Sequence, residues 1–110
     1  MPSLSAYRFM WVVLMFDLPM HTKADRRRYA IFRKKLLKDG FVKMQFSVYI
    51  RHCASRENAE VHELRVGRWV PQEGEVRTIT ITDKQYERMR RFVGKLRTKV
   101  EDPPSQLEFF

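Results

Sequence analysis

Residues 12–19 read VVLMFDLP, an apolar run that ends in a carboxylate followed by a leucine and a proline. Because every position before Asp17 is apolar, the run predicts a central β-strand, over about residues 8–18, in a sheet covered on both faces. Pro19 ends this strand. An ionised aspartate beside a core is costly unless positive charge meets it. The sequence therefore predicts a metal ion or a basic partner at Asp17; the alternative is that Asp17 caps a backbone turn or pairs with a nearby arginine.

The next two segments carry a helix signal and then a strand signal. Thr22 and Asp25 have the spacing of a capping box, which begins a helix that we expect to end at Asp39, with Gly40 as a left-handed stop. From residue 41 to residue 53 apolar and polar residues alternate, which predicts one long strand, or two strands with a bend at residues 45–47. The residues expected to face the core are Val42, Met44, Phe46, Val48 and Ile50.

The last part of the chain repeats these signals. Ser55 is a candidate N-cap of a second helix that ends near residue 69, and residues 76–82 predict a strand with its two isoleucines inward. A third helix is expected to begin after Thr82 and to continue on apolar residues at helical spacing, which are Tyr86, Met89, Val93 and Leu96.

The order of these elements predicts a fold of the α+β class. It is a ferredoxin-like βαββαβ sandwich, formed as a single domain by residues 1–100, with an extra C-terminal helix. Two prolines, Pro103 and Pro104, end that helix and leave residues 101–110 as a strand-like tail.

Composition limits the class of protein and its partners. The chain has 110 residues, enough for one core, and its 22 Lys and Arg against 13 Asp and Glu give a net charge of +9. This charge attracts polyanions, so nucleic acid is the leading partner class. Cys53 is the only cysteine, and no Cys/His cluster has the spacing of a zinc site, so we expect a reducing, cytoplasmic location. The sequence predicts neither a signal peptide nor a membrane span.

Basic residues gather on or near the first predicted helix. Phosphate contact by part of this set is the preferred interpretation, because the helix start also offers backbone amides to phosphate oxygens. The alternative is a solvated helix face. The candidate nucleic-acid-binding residues are Lys23, Arg26, Arg27, Arg28 and Lys34.

Four segments together resemble one known family over nearly the whole chain. They are MFDLP at 15–19, DRRRY at 25–29, GFVKMQFSVY at 40–49 and TITDKQY at 80–86. They resemble the second of the two CRISPR-associated (Cas) adaptation proteins, the small dimeric endonuclease-like partner of the CRISPR integrase. Many members have a second aspartate in the turn after the first strand. Here residues 18–21 are LPMH, which resembles the branch found with type II CRISPR systems.

The resemblance implies a homodimer that bridges integrase dimers and binds double-stranded DNA during spacer acquisition. It also implies that Asp17 is the metal-binding and catalytic residue of an endonuclease for DNA or RNA that depends on Mg²⁺ or another divalent cation. If the twofold axis passes between two Asp17 side chains, the pair can share one ion. The aromatic tail is expected to dock on the partner protomer or the integrase, through Leu107, Phe109 and Phe110.

Two other functions stay open. One is a stand-alone metal-dependent endoribonuclease or deoxyribonuclease that uses the same Asp17 pair. The other is a nucleic-acid-binding regulator with no integrase partner. Loss of cleavage in Asp17→Ala would indicate the enzyme, whereas unchanged spacer integration by that variant would indicate the scaffold.

Overall fold

A computed structural model of the chain describes residues 9–95. Its elements are, in order, β1 (Met10–Asp17), α1 (Lys23–Lys38), β2 (Val42–Gln45), β3 (Val48–Cys53), α2 (Arg56–Gly67), β4 (Glu75–Thr82) and α3 (Asp83–Glu87). The strands form one antiparallel sheet in the order β2-β3-β1-β4. This is the ferredoxin-like βαββαβ arrangement that the sequence predicts.

The core lies between one face of the sheet and the two longer helices. We call this face the helix-covered face. Strand β1, central in the sheet as predicted, contributes four side chains that are between 0% and 7% exposed: Met10, Val12, Leu14 and Phe16. The helices pack against them with Phe32 and Leu36 of α1 and with Ala59 and Val66 of α2.

The opposite face of the sheet, which we call the open face, carries Trp11, Val13, Met15 and Asp17 of β1. Within residues 9–95 the only helix that lies against this face is the short α3, at one end of it. The prediction that the sheet is covered on both faces is therefore wrong for the part of the chain that is described. The alternating exposure of β1 shows why: one row of apolar residues is buried, and the other is half-buried or exposed.

Helix α1 begins and ends as predicted. The Thr22 hydroxyl accepts a hydrogen bond from the Asp25 backbone N–H (3.0 Å), and the Asp25 carboxylate accepts one from the Thr22 N–H (3.1 Å). At the other end Gly40 has a φ of 103°, and the N–H groups of Gly40 and Phe41 bond to carbonyls of the last turn. This is a Schellman arrangement, which requires a residue that tolerates the left-handed region.

Residues 41–53 form two strands joined by a turn at Phe46 and Ser47, so the predicted bend is confirmed. Ser47 has a φ of 66°, and a bulge interrupts the pairing between Lys43 and Gln45. No glycine or proline marks this turn in the sequence.

The predicted inward face of these two strands is wrong. Tyr49 is 1% exposed on the helix-covered face, whereas Val42 and Phe46 are more than 60% exposed. Tyr49 is buried at low cost because its hydroxyl accepts a hydrogen bond from Arg33 of α1 (3.0 Å). Ile50 is buried as expected, but it lies on the open face of the sheet, in register with Val13 of β1.

Strand β4 also faces the other way from the prediction. Ile79 is 53% exposed, and it pairs with Val13 of the open face. The helices cover the threonines of β4 instead: the Thr78 hydroxyl donates a hydrogen bond to Glu63 of α2 (2.7 Å). Ile81 lies on the same open face as Ile79, half-buried beside Trp11.

Helix α3 begins at the predicted capping box of Thr82 and Gln85. It lies against Trp11, whose ring stacks on Tyr86 at 4.0 Å and whose indole N–H donates to Asp83 (2.6 Å). The helix ends at Glu87, so its predicted continuation through Met89 and Val93 is wrong; both side chains are exposed. Leu96 and the predicted tail, with Leu107, Phe109 and Phe110, lie outside the described residues, and docking of the tail stays a prediction.

Candidate metal and nucleic-acid site

Asp17 is the last residue of β1, and its exposed side chain lies on the open face, in the same row as Val13 and Met15. Its carboxylate makes no hydrogen bond or ion pair within residues 9–95. The alternatives of a turn cap or an arginine pair therefore have no partner in this part of the chain. The side chain is placed as a free oxygen donor.

The neighbouring strand brings a second carboxylate to this position. Asp17 is directly opposite Glu75 in the pairing of β1 with β4. Glu75 forms an ion pair with Arg77 at 3.4 Å, and both are exposed. The three residues line an open depression of about 150 Å³ together with Met15 and Phe16. The site thus contains one unpaired carboxylate, one paired carboxylate and one cation.

The described part of a single chain does not hold a complete metal site. Residues 9–95 contain no group of three His, Cys, Asp or Glu side chains that could hold an ion. A divalent cation at Asp17 would need further ligands from a second protomer, from nucleic acid or from water.

Asp25 cannot supply the missing ligand. Its carboxylate serves the capping box of α1 and also accepts a hydrogen bond from Arg28 at 3.0 Å. The backbone N–H of Thr22, followed by Arg28, holds the pKa of Asp25 below its ordinary value. Asp25 is therefore a structural carboxylate, which caps α1 and pairs with Arg28.

The five candidate basic residues of α1 are all exposed, but they fall into two groups. Lys23, Arg27 and Lys34 lie on one stripe of the helix, opposite the buried residues Phe32 and Leu36. This stripe runs for about 16 Å along the helix axis. None of its three side chains has a hydrogen bond or an ion pair within residues 9–95, so all three cations are available to phosphate.

The other two basic residues have structural contacts. Arg26 donates to the carbonyls of Met20 (3.3 Å) and His21 (3.2 Å), and so closes the loop between β1 and α1. Arg28 pairs with Asp25. These bonds leave both side chains charged and exposed, although their first role is to order the start of α1.

Cys53 is excluded as a nucleophile. Its side chain is 1% exposed in the core, and burial raises the pKa of its thiol. A thiolate is the reactive form, so this residue has a packing role.

The residues that sequence reasoning missed are Glu75 and Arg77, because their position beside Asp17 depends on strand pairing. A signal does exist in the sequence. Glu75 and Arg77 keep the two-residue spacing of Ile79 and Ile81, so all four belong to one face of a strand. Strand pairing places that face on the same side of the sheet as Asp17.

Comparison with known proteins gives one family. The model of the family described as "CRISPR associated protein Cas2" matches residues 10–89. A protein of Parvibaculum lavamentivorans named CRISPR-associated endoribonuclease Cas2 is 58% identical over 101 residues, which cover 92% of this chain and 100% of that protein. A protein of the same name from Flavobacterium psychrophilum is 49% identical over 107 residues, which cover 97% and 93%.

Solved structures agree on the fold. The crystal structure of Streptococcus pyogenes Cas2 at pH 6.5 superimposes with a TM-score of 0.58 at 19% identity, covering 76% of this chain and 99% of that one. A second structure, described as a crystal structure of Cas2, also gives a TM-score of 0.58, at 21% identity and with 92% of this chain covered. In residues 9–95, no helix has both the length and the apolar character needed to cross a membrane.

Proposed function

Because the chain belongs to the Cas2 family of CRISPR-associated proteins, we propose that it acts in spacer acquisition as a homodimer that bridges CRISPR integrase dimers and supports double-stranded DNA. The proposal rests on the different character of the two sides of the molecule. An apolar sheet face with a free carboxylate lies on one side, and a stripe of free cations lies on the other.

The open face supports the dimer. Met15, Val42 and Ile79 on this face are between 37% and 61% exposed, and large apolar residues exposed on one sheet face are typical of an interface. A twofold contact pairs the same patch on both protomers. Since Asp17 lies at the end of that patch, the contact would also bring two Asp17 carboxylates near each other.

The donor chemistry of Asp17 fits Mg²⁺ or another hard divalent cation, because its carboxylate oxygens have no other partner. The two Asp17 side chains of the dimer would hold the ion. When bound, the ion supplies Lewis-acid polarisation of a phosphodiester. Arg77 keeps Glu75 in an ion pair, which lowers the repulsion between Glu75 and Asp17.

The stripe of Lys23, Arg27 and Lys34 supports the DNA contact. It lies on the outer side of α1, away from the open face, so dimer formation leaves it accessible. Two such stripes in a dimer would grip phosphates without reading bases, which suits a protein that handles many sequences.

A stand-alone nuclease is the second candidate function, favoured by the name endoribonuclease that the relatives carry. This activity would use the same Asp17 pair, with RNA or DNA as substrate. The two candidates differ in what they require of Asp17, because a scaffold needs the basic stripes and the dimer whereas a hydrolase needs the carboxylates.

Two assays on the same variants separate them. Asp17→Ala is compared with native protein in spacer integration with the integrase present, and in cleavage of RNA and DNA with Mg²⁺. The scaffold proposal predicts integration at the native level in the variant. The stand-alone nuclease predicts cleavage by native protein that is lost in the variant. Integration that disappears in Asp17→Ala while the dimer persists would contradict it.

The matched control for Asp17→Ala removes an exposed carboxylate elsewhere on the surface. Glu60→Ala deletes an exposed carboxylate on α2, on the helix side of the sheet, and should leave both assays unchanged. Charge reversal of Lys23, Arg27 and Lys34 should abolish integration by weakening duplex binding. If this triple variant integrated spacers at the native level, the basic stripe would not be the DNA contact.

A further inference from the structure

Helix α1 carries eight lysines and arginines, and the structure divides them into two sets of four. The first set has contacts inside the protein. Arg26 and Arg28 hold the start of α1, and Arg33 donates to a tyrosine hydroxyl of β3. The fourth member, Lys35, has its ammonium group 5.9 Å from the centre of the Trp69 ring. These four cations are therefore occupied within the fold.

The second set is exposed and has no hydrogen bond, ion pair or ring contact within residues 9–95. Its members are Lys23 and Arg27, the first pair, and Lys34 and Lys38, the second pair. At about 100° per residue, all four lie within roughly 60° of arc, on the side of α1 opposite Phe32 and Leu36. Lys38 lies one turn beyond the stripe described above. Every cation of α1 outside this arc is held by the protein, so this arc is where α1 can meet an anion.

An uncharged interval separates the two pairs. Within each pair the residues are four positions apart, which is about 6 Å along the helix axis. Between the pairs the step is seven positions, or about 10.5 Å. On the same side of the helix this interval carries Ala30 and Ile31, both exposed, with Ile31 at 45%. A ligand that matches the pattern has two rows of anionic groups with an uncharged space between them.

A DNA duplex presents this pattern across a groove. Its two rows of phosphates face each other over the minor groove, which is about 6 Å wide, and over the major groove, which is about 12 Å wide. These widths separate the surfaces of the phosphates, so the points of contact lie a few ångströms farther apart. The interval of about 10.5 Å therefore matches the minor groove and is too short for the major groove. A single strand offers only one row.

We propose that α1 lies across the minor groove of double-stranded DNA, with the first pair at the backbone of one strand and the second pair at the backbone of the other. This inference rests on the proposed nucleic-acid role of the protein and extends it, because it adds Lys38 to the contacts and assigns the groove. Ala30 and Ile31 face the groove itself, where no phosphate lies. The contacts position the duplex and read no base.

The test measures how binding of the full chain to a blunt DNA duplex depends on salt, because the slope of log affinity against log salt counts the phosphates that are neutralised. Lys38→Gln should make this slope shallower by about one for each protomer. The double variant Lys34→Gln/Ile31→Lys should do the same, since it keeps the net charge and breaks the second pair. Lys35→Gln is the matched control: it removes the same charge beside Trp69 and should keep the native slope.

Two modified duplexes test the choice of groove. One carries a bulky uncharged group on guanine N2, in the minor groove, and the other carries it on thymine C5, in the major groove. The first should bind more weakly than the plain duplex by roughly tenfold or more, and the second should bind within about twofold. The reverse order would overturn the inference.

A native slope in Lys34→Gln/Ile31→Lys would also overturn it, because binding would then depend on net charge and not on the position of the pairs. An equal change in Lys35→Gln and Lys38→Gln would have the same meaning. Failure of the proposed function gives a different pattern: charge reversal of Lys23, Arg27 and Lys34 would leave duplex binding unchanged. If that triple variant loses binding while the charge-conserving variant is native, the DNA contact stands and only its geometry is wrong.

Discussion

The two faces of the sheet are formed by the same strands but differ in how far their side chains are buried. Along β1 the even-numbered residues on the helix-covered face are at most 7% exposed, whereas the odd-numbered residues on the open face include Met15, at 37%, and the exposed Asp17. The first row stabilises the protomer. The second row presents apolar area and a free carboxylate, which packing within residues 9–95 does not explain.

The largest effect that tests this comparison is on stability. Leu14→Ala on the helix-covered face should lower the free energy of unfolding by about 2–5 kcal/mol, because the side chain is fully buried and leaves a cavity. Met15→Ala, one residue away on the open face, should cost less than about 1 kcal/mol. Urea unfolding at a protein concentration that keeps the chain monomeric measures both. Equal losses in the two variants would show that the open face is also part of the folding core.

The next effect is on self-association. Ile79→Arg puts a charge on the open face, midway along the edge strand β4. A twofold contact through this face would desolvate two guanidinium groups, so the variant should weaken the dimer by roughly tenfold or more. Val61→Arg places the same charge at an exposed apolar position on α2 and should leave the dimer unchanged. Sedimentation across a range of concentrations gives the dissociation constants. A dimer that responds only to Val61→Arg would put the interface on the helix side.

A smaller effect compares two polar residues at the ends of the first loop. Thr22→Ala should cost about 1 kcal/mol of stability, because it removes the hydroxyl that accepts the Asp25 N–H at the start of α1. Asp17→Ala should change stability by less than about 0.5 kcal/mol, since its carboxylate has no partner within residues 9–95. Thermal unfolding of the two variants and the native protein measures both changes in stability. A larger loss in Asp17→Ala would reveal a structural role for that carboxylate.

The smallest effect is a difference in acid sensitivity. Hydrogen bonds from the Thr22 backbone and from Arg28 lower the pKa of Asp25 below its ordinary value of 3.8, so the ionised form stabilises the fold. This contribution is fully present above the ordinary value and is lost as the pH falls through the lowered one. Native protein should therefore lose stability in acid more steeply than Asp25→Asn. Parallel curves for the two proteins would show that Asp25 does not contribute.

Much of the helix side was predictable from the sequence because its signals are local. The capping box of α1, the left-handed Gly40 and the N-cap at Ser55 each depend on a few neighbouring residues, and all three are confirmed. Capping chemistry depends on backbone groups within one turn, so no distant partner has to be known.

The choice of face in β3 and β4 could not be predicted in the same way. The burial of Tyr49 and Thr78 depends on Arg33 and Glu63, which reach them from helices 15 or 16 residues away in the chain. Hydrophobic alternation predicts that the more apolar row of each strand faces the core. In the structure, Tyr49 and Thr78 of the other row are buried because their hydroxyls have hydrogen-bond partners on the helices, and part of the more apolar row lies on the open face. The predicted length of α3 failed for a related reason: within residues 9–95 only its first turn has a surface to pack against.

In the candidate site, too, the residue with a local signal was predictable and the residues brought in by strand pairing were not. Asp17 was recognisable because a charge at the end of an apolar strand has no local explanation. Glu75 and Arg77 reach it only through the antiparallel register of β1 with β4, across almost sixty residues of chain.

The stack of Tyr86 on Trp11 limits how a partner can approach the sheet. It fixes α3 over the end of β1 that lies farthest from Asp17, where the His52 ring also contacts Trp11, at 4.7 Å. A partner that packs on the open face would meet this aromatic corner at one end and the exposed Asp17 at the other. The same short helix that closes the protomer would thereby act as a steric guide, shifting the symmetry axis of an assembled pair toward the residues where chemistry is expected.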